Sequence, residues 1–128
     1  MGGEPEKVGP EVFRGDRLLR PGVVGVAFLA DWCPFCRAFA PAFAGLGRSG
    51  SWTVLVADVT DDESPLWDRF HLDVVPAIMV FRSGRSTFRR DGVLGVGLGP
   101  GDLTALETAL RTAGHEPAAR VDTRTRPR

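Results

Sequence analysis

The sequence predicts an α/β domain in which a mixed β-sheet carries helices on both faces. An apolar run at Val23–Leu29 and a strand-like segment at Trp52–Val59 enclose a helical pattern, which predicts a βαβ unit with a right-handed crossover. A second helix, two strands joined by a tight turn and a final helix complete the order β-α-β-α-β-β-α. The 128 residues, 43% of them apolar, suit one domain with a modest core.

The segment before the βαβ unit is weakly patterned. Residues 1–10 show no periodicity and are predicted to form a flexible N-terminus. Glu11–Arg20 is predicted to be a short helix, although Gly15 disfavours it and Pro21-Gly22 ends it. The apolar contacts of this helix would come from Val12, Phe13, Leu18 and Leu19.

The strongest secondary-structure signals lie in the βαβ unit. Val23–Leu29 is nearly continuous in apolar residues, which is typical of a strand buried on both faces. The next helix is predicted to begin near Pro34, where a missing N–H is harmless, and to bend at Pro41. The core-facing stripe of this helix consists of Phe39, Phe43 and Leu46.

The second half of the chain continues the alternation. Ser64-Pro65 predicts the N-cap and first residue of a helix. Val75-Pro76 precedes a strand at Ala77–Arg82, and Ser86–Arg90 is predicted to return antiparallel to it after a turn.

The last helix is predicted to be capped by Asp102 and ended by Gly114. Residues 114–128 are rich in arginine, threonine and proline and are predicted to form a disordered basic tail. The folded domain is therefore predicted to span residues 11–113.

The chemistry of the chain is concentrated in Cys33-Pro34-Phe35-Cys36, which holds both cysteines of the sequence. Cys33 would lie at the start of a helix and Cys36 one turn later. The unpaired N–H groups of a helix N-terminus favour an anion, so a thiolate at Cys33 is stabilised. A second thiol three residues on can release a mixed disulfide. Because this pair lies in a βαβ pattern, it predicts a redox-active dithiol.

Two alternative interpretations of the cysteine pair, a structural zinc site and an inert disulfide, have less support. A structural zinc site needs about four ligands, and the remaining candidates, His71 and His115, form no spaced pair. An inert disulfide would close a loop too small to constrain much unfolded chain. We therefore predict redox chemistry without a metal or a cofactor.

The charge balance and the hydropathy of the chain argue against nucleic-acid and membrane partners. Sixteen basic residues balance sixteen acidic ones, which does not suggest a nucleic-acid surface. Residues 1–10 lack the apolar segment of a signal peptide, and the run Val23–Ala30 is too short to span a bilayer. We predict a cytoplasmic protein without nucleic-acid or membrane partners, where a reducing environment suits a cycling cysteine pair.

The segment Trp32–Arg37, together with Pro41, resembles the active site of thioredoxin-like proteins. Val75-Pro76 before a strand and the turn at Phe81–Gly84 add to this resemblance, which covers roughly residues 11–113. It implies a thioredoxin-like three-layer sandwich around a central mixed sheet. The first strand should be short or absent, because only Lys7-Val8 is available for it.

The resemblance also implies a mechanism. Cys33 would attack a substrate disulfide, and Cys36 would then release the reduced substrate. Pro76 would be a cis-proline facing the dithiol, which turns the N–H and C=O of Val75 toward an extended substrate segment. The apolar docking surface would consist of Trp32, Pro34, Phe35, Val75 and Pro76. The implied partners are disulfide-containing protein substrates and a reductase or other thiol electron donor.

Two positions depart from the family pattern. Pro34-Phe35 stands where typical thioredoxins carry Gly-Pro, and it is nearer the Pro-Tyr of glutaredoxins. Ala27 stands six residues before Cys33, where thioredoxins usually bury an aspartate that relays a proton for the resolving thiol. Asp31 is no obvious substitute, since it is expected to face water. We therefore expect resolution by Cys36 to rely on water or to be slow.

Two alternative functions remain open at this stage. One is a binding or scaffold domain with a cysteine pair that does not cycle, and the other is a glutathione-dependent, glutaredoxin-like reductase. The Thr that glutaredoxins place before the Val-Pro pair is absent, since Val74 stands there.

The glycine-rich segment 92–101 does not match a dinucleotide fingerprint. It is predicted to be a loop beside the dithiol, with either Gly92 or Gly97 in the docking face.

Overall fold

The computed structural model describes residues 4–49 and 52–115. The strands are β1 (Glu6–Val8), β2 (Phe13–Arg14), β3 (Arg17–Leu18), β4 (Val23–Leu29), β5 (Thr53–Asp58), β6 (Ala77–Arg82) and β7 (Arg85–Asp91). The helices are α1 (Pro34–Arg48), α2 (Leu66–Arg69) and α3 (Pro100–His115), and a 3₁₀ turn covers Pro10–Val12.

Five of these strands form one mixed sheet in the order β1-β5-β4-β6-β7. The central strand β4 runs parallel to β5, which places Leu29 beside Asp58. It runs antiparallel to β6, which places Phe28 beside Ala77. Strand β7 returns antiparallel to β6 along the edge. The predicted α/β class and mixed sheet are therefore confirmed.

Helices α1 and α3 cover one face of this sheet and contact each other. The opposite face is covered by the hairpin β2-β3 and by α2, whose aromatic side chains meet those of the sheet. Phe13 lies against Phe28 and Phe81, with ring centroids 6.1 and 6.0 Å apart. Phe70, directly after α2, packs on the same cluster. This is the expected three-layer arrangement.

The stripe that α1 turns toward the sheet consists of the predicted residues Phe39, Phe43 and Leu46, all of which are buried. Burying such a side chain contributes roughly 1.5–3 kcal/mol to stability. The stripe thus anchors α1 and, with it, the residues at the start of the helix.

The predicted helix at Glu11–Arg20 is wrong. In its place the chain forms the hairpin β2-β3, in which Phe13 lies opposite Leu18 and both are buried. On a helix these two side chains would point about 140° apart, because each residue turns the chain by about 100°. Gly15 has a φ of +59°, a left-handed conformation that suits the hairpin turn and interrupts a helix.

Strand β1 corrects the prediction that residues 1–10 form a flexible N-terminus. Residues 6–8 pair in parallel with β5, and Val8 is buried. Glu6 also accepts two hydrogen bonds from the guanidinium of Arg20, at 3.2 and 3.1 Å. The first strand is therefore short and present, and the fold begins before residue 11.

The final helix also departs from its predicted bounds. It begins at Pro100, and Asp102 caps it from within the first turn by accepting the N–H of Gly99 at 2.8 Å. It continues through Gly114 to residue 115, so Gly114 does not end it. The rest of the predicted basic tail, residues 116–128, lies outside the described residues, as do residues 1–3.

Candidate functional site

Strand β4 ends at the loop that presents the two cysteines. Cys33 occupies the N-cap position of α1, with extended backbone angles, and Pro34 takes the first helical position. The N–H of Cys36 donates to the sulfur of Cys33 at 3.2 Å, so this sulfur accepts the hydrogen bond that an N-cap side chain accepts in other helices. The predicted placement of the pair at the start of the helix agrees with this geometry, and both thiols are free in the structure.

Both thiols are buried, and the pKa of the Cys36 thiol is raised. Cys33 is 5% exposed and Cys36 is 2% exposed. Burial, followed by the hydrogen bond with Cys33, raises the pKa of the Cys36 thiol to about 12, against lowering influences from a backbone hydrogen bond of Ala30 and from Arg37. Cys36 therefore stays protonated at neutral pH, whereas the sulfur of Cys33 receives a backbone donor at the helix N-terminus.

The loop before β6 faces Cys33. The peptide bond Val75-Pro76 is cis, and the sulfur of Cys33 donates to the carbonyl oxygen of Val75 at 3.5 Å. The hydrogen bonds within residues 4–49 and 52–115 leave the N–H of Val75 unused. The structure thus brings Val75 and Pro76 to the dithiol, with one backbone donor available.

Trp32 lies at the rim of the site and is 52% exposed. Its indole N–H donates to the carbonyl oxygen of Thr60 at 3.0 Å. Its ring stacks on Trp67, with centroids 6.3 Å apart and planes 11° from parallel. The role of Thr60 was not predicted from the sequence.

A cavity of about 250 Å³ lies between these elements. Its walls include the predicted docking residues Trp32, Pro34, Phe35 and Val75. Other lining residues are Trp67, Asp73, Val74, Val93, Leu94 and Gly95. Pro76, which was predicted to belong to the docking surface, is buried and does not line the cavity. The cavity adjoins Cys33, which is one of its lining residues.

Gly92 and Gly97, the two glycines predicted as candidates for the docking face, both lie so close to neighbouring atoms that a side chain would not fit. A Cβ on Gly97 would lie 2.8 Å from the Cβ of Phe35, and Gly97 has a φ of +82°. A Cβ on Gly92 would lie 2.9 Å from the carbonyl oxygen of Pro76. The segment between them forms a turn that exposes the large apolar side chains of Val93, Leu94 and Val96.

Comparisons with known proteins agree with this geometry. A family model described as thioredoxin matches residues 15–96. Thioredoxin of Rhodospirillum rubrum is 31% identical over 90 residues, which cover 70% of this chain and 86% of that protein. The chain belongs to the thioredoxin family. Thioredoxin 1 of Chlorobaculum tepidum is 32% identical over 72 residues, 56% of this chain and 71% of that protein.

Solved thioredoxin structures share the fold. Thioredoxin f from spinach chloroplast, in its short form, has a TM-score of 0.65 at 18% identity and covers 86% of this chain and 96% of its own. A structure of ferredoxin:thioredoxin reductase in complex with thioredoxin f2 has a TM-score of 0.65 at 19% identity, with 86% and 97% coverage. Membership of the thioredoxin family makes this protein a thiol-disulfide oxidoreductase.

The described helices of this thioredoxin-family protein do not include one long and apolar enough to cross a membrane. Its departure from the family at Ala27 is visible in the sheet, where Ala27 is 0% exposed and contributes only a methyl group. Asp31 is exposed, as expected.

A different carboxylate lines a cavity together with Cys36. Asp58, at the end of β5, lines a cavity of about 260 Å³ that Cys36 also lines. The sequence prediction placed Asp58 near the end of the strand Trp52–Val59 and gave it no role at the site. The predicted βαβ unit could have indicated this position. Its two strands, β4 and β5, pair in parallel, so their carboxyl ends lie side by side and Asp58 lies at the same edge as the cysteine loop.

Proposed function

We propose that this thioredoxin-family protein reduces disulfide bonds of protein substrates, with Cys33 as the nucleophile and Cys36 as the resolving thiol. The observation that supports it best is the position of the Cys33 sulfur, 3.2 Å from the N–H of Cys36 and 3.5 Å from the carbonyl of Val75. The first contact favours a thiolate at a helix N-terminus. The second holds that sulfur beside a backbone segment that can pair with a substrate.

The proposed cycle has two displacements. The Cys33 thiolate attacks one sulfur of a substrate disulfide, forming a Cys33–substrate mixed disulfide and releasing the other substrate sulfur as a thiolate. Cys36 then loses its proton and attacks the Cys33 sulfur, which forms the Cys33–Cys36 disulfide and releases the second substrate thiolate. The substrate gains two electrons and the protein dithiol loses two.

The docking surface in this proposal consists of Trp32, Pro34, Phe35 and Val75, and the buried Pro76 supports it by fixing the backbone of Val75. An extended substrate segment would pair with the free N–H of Val75, in the manner of strand addition. The neighbouring cavity, whose walls are largely apolar side chains, would take a side chain close to the substrate cysteine. Exposed aromatic surface at this place supports a protein substrate.

To act again, the oxidised protein needs two electrons from a reductase or another thiol donor. A structural neighbour was solved in complex with ferredoxin:thioredoxin reductase, which supports a protein reductase as one such donor. A reducing compartment such as the cytoplasm would suit this cycle, since it keeps the pair reduced between turnovers.

The test is insulin reduction by dithiothreitol with the native protein, Cys33→Ser and Cys36→Ser. Acceleration by the native protein, lost in both single variants, supports the proposed roles. Equal rates with and without the native protein would favour a non-cycling binding domain. Turnover with glutathione alone as the donor would favour a glutaredoxin-like reductase.

A further inference from the structure

The second displacement poses a chemical problem in this chain. Cys36 must lose its proton before it attacks, yet its thiol is 2% exposed and burial raises its pKa to about 12. Only a small fraction of such a thiol is ionised at neutral pH. A nearby proton acceptor would therefore accelerate the step, and Ala27, beneath the site, offers none.

The cavity that Cys36 shares with Asp58 supplies the space for one. Helix α1 contributes Cys36, Ala40 and Ala44 to its wall, and the sheet contributes Val56 and Asp58. The two alanines leave room between helix and sheet that larger side chains would fill. With a volume of about 260 Å³ and polar groups in its wall, the cavity is large enough for several water molecules.

Asp58 is held in a defined orientation at this cavity. Its Oδ1 atom accepts the backbone N–H of Thr60 at 3.1 Å and the Thr60 hydroxyl at 2.6 Å. The same hydroxyl oxygen accepts the N–H of Asp31 at 2.9 Å, in the loop before Cys33. Among the hydrogen bonds of the described residues none uses Oδ2 of Asp58, so this oxygen is available as an acceptor.

The other ionisable groups of the cavity are less suited to accept the proton. Glu4 is paired with Arg48 at 3.2 Å, and Asp31 is exposed. The remaining two, Lys7 and Arg37, are cations. Asp58 is thus the half-buried carboxylate in the cavity with an unused oxygen.

We propose that Asp58 accepts the proton of the Cys36 thiol, through water in the shared cavity, when Cys36 resolves the mixed disulfide. This inference rests on the proposed roles of Cys33 and Cys36. The proton passes from the Cys36 sulfur to a carboxylate oxygen of Asp58. The Cys36 electron pair forms the bond to Cys33, the Cys33–substrate bond breaks, and its electron pair leaves on the substrate sulfur. The protonated Asp58 then returns its proton to solvent through the cavity mouth.

The test follows both displacements with dithiobis(nitrobenzoate), whose coloured thiolate is released once by the attack of Cys33 and once by that of Cys36. In stopped-flow mixing with the reduced protein, Asp58→Asn should slow the second release at least about tenfold and leave the first within about twofold. The amide retains the oxygen that accepts from Thr60. Asp58→Glu should recover part of the second rate, and Asp62→Asn, an exposed neighbour, should change neither.

The pH dependence separates proton transfer from a structural effect. In the native protein the second rate should depend on the ionisation of a carboxylate, and in Asp58→Asn that dependence should be lost, so that the rate rises only in proportion to hydroxide. An Asp58→Asn variant with a native second rate, with an unchanged pH profile, or with both releases slowed alike would overturn the inference. Different results would contradict the proposed function itself: no second release of the coloured thiolate from the native protein, or a second release that persists in Cys36→Ser.

Discussion

The sulfur of Cys33 lies 3.5 Å from the carbonyl oxygen of Val75, so the first thiol of the pair is in contact with the loop that precedes β6. The same loop is held from its other side by Gly92, whose N–H donates to the carbonyl oxygen of Pro76 at 2.9 Å. The position of the nucleophile relative to the docking surface therefore depends on close backbone packing at Gly92.

Gly92→Ala should reduce both stability and activity. Its Cβ would lie 2.9 Å from the carbonyl oxygen of Pro76, and this oxygen belongs to backbone that must shift to make room. We expect a loss of about 1–3 kcal/mol in the free energy of unfolding and slower insulin reduction. Gly99→Ala is the matched control, since its Cβ would meet no atom within 4 Å. Equal behaviour of the two variants in denaturation and activity assays would contradict this explanation.

Leu94→Ser should weaken the binding of protein substrates. Leu94 is 85% exposed and lines the cavity beside Cys33, so its apolar surface is free to be covered by a substrate. We expect KM for insulin to rise severalfold, while the rate with dithiobis(nitrobenzoate) stays unchanged because that reagent is small. Leu19→Ser, at another exposed leucine away from the cavity, serves as the control. A rise in KM as large in Leu19→Ser would count against the docking surface.

Alkaline pH should destabilise the reduced protein through Cys36. Its unfolded thiol ionises near the ordinary value of 9.0, whereas the folded thiol holds its proton to a pKa of about 12. Between these values the unfolded state binds fewer protons, so stability falls as pH rises, by up to about 1.4 kcal/mol per pH unit. The chain has no tyrosine, and Lys7 is its one lysine, so few other groups titrate there.

Urea denaturation of the reduced protein between pH 8 and pH 11 measures this effect, with Cys36→Ala as the reference. The native protein should lose more stability across the range than the variant does. A pH slope that is the same in both proteins would show that Cys36 keeps an ordinary pKa in the folded state.

Thr60→Val should loosen the loop that presents the cysteines. The hydroxyl of Thr60 donates to Asp58 and accepts from the N–H of Asp31, and the valine would leave both groups without that partner. We expect a loss of about 0.5–1.5 kcal/mol in the free energy of unfolding, because water can reach both groups. Thr53→Val, at the exposed start of β5, should change stability little. The prediction fails if chemical denaturation finds equal stabilities for the two variants.

Sequence reasoning succeeded where one local signal determined the structure. The apolar run at Val23–Leu29, the stripe of α1 and the strand at Ala77–Arg82 each agreed with the observed element, because periodicity and burial point the same way there. The position of Cys33 also followed from local rules, since Pro34 suits the first turn of a helix.

The errors arose where tertiary contacts outweigh local preference. Phe13 and Leu18 were assigned to a helix, yet both are buried only if a turn at Gly15 places them opposite each other. The three residues of β1 have little strand signal of their own and are held by pairing with β5. Asp58 had no predicted role, because the cavity that it shares with Cys36 depends on the pairing of β4 with β5.

The most direct test of the account is the rate of alkylation of each thiol by iodoacetamide at neutral pH, with the modified sites identified by mass spectrometry. Cys33, measured in Cys36→Ser, should react faster than free cysteine, because its sulfur accepts a backbone N–H at the start of α1. Cys36, measured in Cys33→Ser, should react at least about tenfold more slowly than Cys33, as expected for a thiol whose pKa is raised. Equal reactivity of the two thiols, at or below that of free cysteine, would contradict the account.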